Sequence, residues 1–169
     1  MSYENYVANG TALSINGEAG ADYAFSMEGV TDGNGRVSAQ IDLGAAPRPY
    51  IFHWSAEAQM QATPTLLGTI DFYIATAPDS DSTQIDGDVG SSDAALGSAQ
   101  QINNLQYIGS ITNDSTTASQ PQVAHGDFIC YSRYISIVGY NGVGSTINAT
   151  DSNFQFILTP KTFQLQVPT

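Results

Sequence analysis

The chain has 169 residues, the length of one domain, and sixteen acidic against four basic side chains leave it with a net charge of −12. Charge of that sign repels phosphate backbones and anionic lipid, which argues against nucleic-acid and membrane-surface roles. A single cysteine excludes an internal disulfide framework, and the length suffices for a core that needs no staple.

Residues 1–21 carry Tyr3, Tyr6, Val7, Leu13 and Ile15 among Asn, Gly and Ala, too little apolar surface for a unit of their own. They are expected to form an extended N-terminal arm ahead of a folded domain spanning 22–169. The start, MSYENYVANG, has neither a basic n-region nor an apolar h-region, so synthesis in a cytoplasm without secretion is expected. From Asp22 to Val30, Tyr23, Phe25 and Met27 alternate with polar or small residues, and Thr31-Asp32-Gly33-Asn34-Gly35 supplies residues that tolerate positive φ. With Val37, Ala39, Ile41 and Leu43 returning on one side, the pattern predicts a hairpin. Pro47 and Pro49 then rule out central sheet pairing around Arg48.

The strongest strand signal runs from Tyr50 to Ala77. Phe52, Trp54, Ala56, Ala58 and Met60 alternate with His53, Ser55, Glu57, Gln59 and Gln61, giving one apolar and one wet face. Thr63-Pro64 interrupts, and Ile70, Phe72 and Ile74 then alternate with Thr69, Asp71 and Tyr73. The two runs are expected to pair as an antiparallel hairpin. The polar segment that follows holds Asp79, Asp81, Asp86, Asp88 and Asp93. Calcium favours such oxygen-rich loops, but an EF-hand beginning at Asp79 would need Gly and Glu where Gln84 and Gly90 stand. A solvated loop is the expectation, with calcium at Asp79 to Asp88 as its weaker alternative and one helical turn at Asp93 to Leu96 as the only helix.

Strands resume at Leu105 to Ile111, Gly126 to Tyr131 and Tyr134 to Tyr140, and Asn141-Gly142 carries the hairpin dipeptide. Asn153 to Thr159 makes the last strong run, ended or bent by Pro160, and Phe163, Leu165 and Val167 alternate once more. Eight or nine strands separated by turns predict an all-β, antiparallel two-sheet sandwich of jelly-roll or Ig-like topology. No catalytic signature is present, both histidines stand alone in the sequence, and Cys130 reads as a small core residue. The pair Glu57 and Asp71, if on facing strands, would suggest a glycosidase, but acidic pairs of this kind arise by chance in any sandwich. A non-enzyme is expected.

The segments from Trp54 to Thr76, Asp86 to Leu96 (DGDVGSSDAAL), Asn104 to Ile111 (NLQYIGSI), Ser132 to Tyr134 and Phe156 to Pro160 (FILTP) resemble the capsid decoration, or cement, proteins of tailed bacteriophages. The resemblance is one of overall pattern across residues 50 to 160. It implies a structural virion protein on the outer capsid surface, a dimer or trimer that binds the major capsid protein, bridges capsomers and needs no cofactor. Arms add strands to a neighbour's sheet edge, so Tyr3, Tyr6, Arg48, Phe163 and Leu165 are the expected contact residues. The alternative is a tail-associated or carbohydrate-binding adhesion module, with Tyr73, Tyr107 or Tyr140 stacking on sugars.

Overall fold

A computed structural model describes residues 4–46, 48–80, 84–150 and 152–166. Among the described residues twelve strands lie in two sheets of six. The first sheet contains β1 (Glu4–Asn9), β2 (Leu13–Asn16), β3 (Tyr23–Ala24), β6 (Ile51–Ala58), β10 (Gln122–Ile129) and β12 (Phe154–Gln166). The second contains β4 (Asn34–Val37), β5 (Ile41–Asp42), β7 (Thr69–Ala77), β8 (Ala94–Ala95), β9 (Gln106–Thr112) and β11 (Tyr134–Gly142). Their central orders, β10-β6-β12-β2 and β4-β11-β7-β9, are those of a jelly roll once β1/β2 and β4/β5 are each taken as one broken strand.

Jelly-roll order means that the expected local hairpins do not form. β6 and β7 lie in opposite sheets, as do β3 and β4, and β11 is followed across the core by β12. The physical reason is that β6 and β7 each have one apolar face. Facing each other across the core buries both, whereas pairing side by side would leave both faces needing a third partner. Trp54 of β6 accordingly meets Phe72 of β7 at 5.5 Å between ring centroids and stacks on Phe156 of β12 at 5.8 Å. The segment expected as an arm is partly sheet as well: β2 pairs with β12, and Ile15 is fully buried.

The indole shapes the backbone around it. Its Nε1 donates to the Ile108 carbonyl at 3.2 Å, and a β-carbon at Gly109 (φ +146°) or Gly126 would overlap the ring. The β7–β9 register shifts beside Gly109, between Phe72 and Tyr73, so a bulge on the edge strand makes room for the ring. Gly126, expected to begin its strand, lies within β10, where the absence of a side chain admits the same ring. Pro160 does not end its strand. Its carbonyl accepts from Gly10 N–H at 2.7 Å, and its nitrogen, which has no hydrogen to give, faces the same edge, where the chain breaks between β1 and β2.

The segment after β7 is not simply solvated. Ile85 and Val89 are buried against Val37, Ala75, Ala77 and Val138, forming a second, smaller core on the outer face of the second sheet. Part of the outer face of that sheet is apolar as well, so something must cover it. Short 3₁₀ turns at Asp86–Asp88 and Ala99–Asn104 shape this strap, and Ala94–Ala95, expected as a helical turn, forms β8 against β4. Asp93 fastens it. The carboxylate accepts from Arg36 Nε at 2.6 Å, from Ser26 N at 3.1 Å and from Ser26 Oγ at 2.5 Å. Burial alone would raise the Asp93 pKa, but Arg36 and the two Ser26 donors outweigh it and hold it below the ordinary value. A carboxyl lowered on folding stabilises fully above its unfolded pKa, about 3.9, and loses that contribution as pH falls through the folded value. Asp93→Ala should therefore cost about 1–3 kcal/mol in urea denaturation at neutral pH, with the deficit shrinking in acid. A deficit independent of pH would contradict the latch.

Candidate docking surface

One end of the sandwich is built differently from the rest. Where β6 begins and β10 ends, Ile51 sits opposite Lys161 on one side and Ile129 on the other. β12 continues past this point to Gln166, paired with β1 from Asn9↔Lys161 to Glu4↔Gln166. At about 3.4 Å per residue the extension from Lys161 to Gln166 reaches ~17 Å as a two-stranded ribbon. Among the described residues no strand pairs with the other edge of 162–166. That edge presents backbone donors and acceptors able to receive another strand.

At the foot of the ribbon lie two exposed tyrosines. Tyr50 and Tyr131 stack at 5.7 Å with an interplanar angle of 21°, and Tyr131 is 74% exposed. The Arg48 guanidinium donates to the Tyr131 carbonyl, and Ala46, Arg48, Tyr50 and Tyr131 line a shallow groove of about 250 Å³. Ile129 is exposed on the adjoining strand end. The local electrostatics differ from those of the molecule as a whole, because three of the four cationic side chains, Arg48, Arg133 and Lys161, fall at this end. Arg133 is held by both oxygens of Asp42 at 2.7 and 2.8 Å, and these bonds, with the Gly44 N–H, lower that carboxyl to about 2.

Four of the five expected contact residues thus lie on or at the foot of one ribbon. Tyr6, Phe163 and Leu165 belong to the ribbon, with Val7 opposite Phe163 and Asn5 opposite Leu165, while Arg48 stands at its foot. The arms, expected to act separately, pair with each other. Tyr3 lies outside the described residues. Sequence reasoning missed Tyr50, Ile129 and Tyr131, although the alternation was available: Phe128 and Cys130 are buried, so Ile129 and Tyr131 take the outward positions. Cys130 is buried and free as expected, and burial pushes its thiol pKa up.

Two further clusters lie on the outer faces. On the first sheet, His53 Nδ1 lies 2.7 Å from Asp127 Oδ1, the His125 ring is 5.8 Å from that of His53, and Lys161 Nζ is 2.9 Å from both Asp127 oxygens. On the second, Tyr73 and Tyr107 meet edge to face at 5.5 Å, while the Tyr140 hydroxyl is committed to the Gly33 carbonyl at 3.0 Å. Glu57 and Asp71 do not converge, since β6 and β7 turn their buried residues toward each other and carry these carboxylates on opposite outer faces. In the aspartate-rich segment, Asp86 is engaged by the N–H and hydroxyl of Thr76 at 3.0 and 2.6 Å, and Asp81 lies outside the described residues. No three or more His, Cys, Asp or Glu among the described residues are grouped so as to hold a metal ion.

Fold and surface together define a jelly-roll sandwich that presents a strand-edge ribbon above an aromatic–arginine foot. No protein-family model matches the chain, and no curated protein matches it.

Proposed function

We propose that the protein is a structural virion protein that binds the outside of a tailed-phage capsid and stabilises the shell by bridging capsomers. The observation that carries this reading is the ribbon of β1 and β12, whose open edge at 162–166 stands beside Tyr50, Tyr131 and Arg48. Strand addition to an open edge supplies main-chain hydrogen bonds, and tyrosine with arginine is the side-chain composition that concentrates binding energy in interfaces. Repetition over a shell multiplies modest contacts by avidity, so no deep pocket is required. The partner is the major capsid protein, with a dimer or trimer of this chain as the bridging unit. The pattern shared with decoration proteins across residues 50 to 160 supports the same reading.

A second reading has its own observation. The Tyr73–Tyr107 pair, with Tyr107 54% exposed, offers a ring face on which a sugar could stack, and jelly rolls serve lectins as well as capsids. One experiment separates the two. The purified chain is mixed with undecorated capsids of the parent phage, sedimented, and the shells are heated; a glycan array is probed in parallel. Saturable binding with a raised disruption temperature is expected, weakened about tenfold or more by Arg48→Ala or Tyr131→Ala. Failure to sediment with capsids at saturating protein overturns the decoration role, and glycan binding lost in Tyr107→Ala would install the adhesion role instead.

A further inference from the structure

We infer that the outer face of the first sheet holds a surface site for a borderline divalent transition ion, zinc, nickel or copper, ligated by His53 and His125. The inference is independent of the capsid reading. The chain has two histidines, far apart in sequence, and the β6–β10 register brings them together: His53 lies opposite Asp127, His125 lies opposite Ser55, and the rings are diagonal neighbours 5.8 Å apart. That spacing is close to what two imidazoles adopt around one ion at the usual nitrogen–zinc distance of about 2.0–2.1 Å.

Asp127 prepares the first ligand. An ionised carboxylate only accepts, so the 2.7 Å contact requires His53 Nδ1 to be the donor, which leaves the lone pair on Nε2. A carboxylate behind a histidine is the arrangement that fixes the tautomer and ring orientation of metal ligands and raises their basicity. Lys161 completes the support by bonding both Asp127 oxygens at 2.9 Å. The class of ion follows from the donors. Calcium and magnesium need oxygen ligands, and the Asp127 carboxylate is already engaged by Lys161 and His53, whereas neutral imidazole suits zinc, nickel and copper. Both strands are central or edge members of a packed sheet, so the two rings are carried on rigid backbone. His125 is exposed and the His53 side chain 36% exposed, so water can fill the remaining positions of the ion.

The test is titration of the full chain with nickel chloride or zinc chloride alone, in a buffer that does not bind metals, followed by calorimetry and by the ¹⁵N resonances of the histidine rings. One ion per chain is expected, with both histidines shifting together. His53→Ala or His125→Ala should each weaken binding at least tenfold, and the double variant should abolish it. Asp127→Ala should weaken it about 10–100-fold while leaving the melting temperature within a few degrees of the parent. Undiminished binding by the double variant, absence of any histidine shift at millimolar metal, or an equal response to calcium would each overturn the assignment.

Discussion

Trp54→Ala is expected to cost about 3–5 kcal/mol of folding stability, a large part of the 5–15 kcal/mol that a domain of this kind possesses. The side chain is 1% exposed and lies between the sheets, stacked on Phe156 and tilted against Phe72. Removing it deletes an aromatic contact to each sheet and leaves a void that Gly109 and Gly126, having no side chains, cannot fill. Collapse into that void is restricted, because β9 and β10, whose glycines flank the ring, are each held by ladder hydrogen bonds to a neighbouring strand. Urea denaturation followed by circular dichroism should show a lower midpoint at an unchanged slope. A loss below about 1 kcal/mol would mean that the indole is not the central filler of this core.

Asn141→Ala should cost about 2–4 kcal/mol, although the residue sits at a dipeptide that ordinarily marks an exposed turn. Asn141 is fully buried. Its amide donates to the carbonyls of Val30 and Ser145, both at 2.8 Å, and its Oδ1 accepts from Val143 N–H at 3.1 Å. The side chain therefore ties the loop before β4 to the loop after β11, and its removal takes the partner from the Ser145 carbonyl and the Val143 N–H, while the Val30 carbonyl keeps only the Ile147 N–H. Asn141→Asp provides the sharper test. It is nearly the same shape, but it replaces a donor by an acceptor facing two carbonyls, so it should be at least as damaging as alanine at neutral pH. A thermal melt of Asn141→Asp indistinguishable from the parent would overturn the network.

The candidate docking end shows where sequence reasoning stops. Arg48 and the terminal strands stand out locally, the first by its prolines and the others by their alternation at the chain ends. Tyr50 and Tyr131 do not, because each looks like an ordinary strand residue until β6 and β10 are paired and their ends coincide. The histidines behave likewise. Each is an isolated polar residue on a wet strand face, and only the register makes them a pair. The strap over the second sheet had a faint local signal: Ala75 and Ala77 place apolar side chains on the face of β7 opposite Ile70, Phe72 and Ile74, so that face also needed cover.

What the sequence determined by itself is the all-β class, the positions of the main strands and the identity of the core. All of these follow from alternation with period two, which each segment carries regardless of its neighbours. It also determined that Cys130 is buried and His53 faces outward, for the same reason. Which strands pair was decided only by the tertiary structure. Asp-Gly and Asn-Gly report that the chain reverses, not whether the next strand lies beside the last or across the core from it. That choice belongs to long-range burial, in which β6 and β7 cover each other's apolar faces and β12 takes the place between β6 and β2. The pairing of the two termini into one ribbon, the bulge that admits Trp54 and the meeting of His53 with His125 all depend on that choice, so they emerged only with the fold.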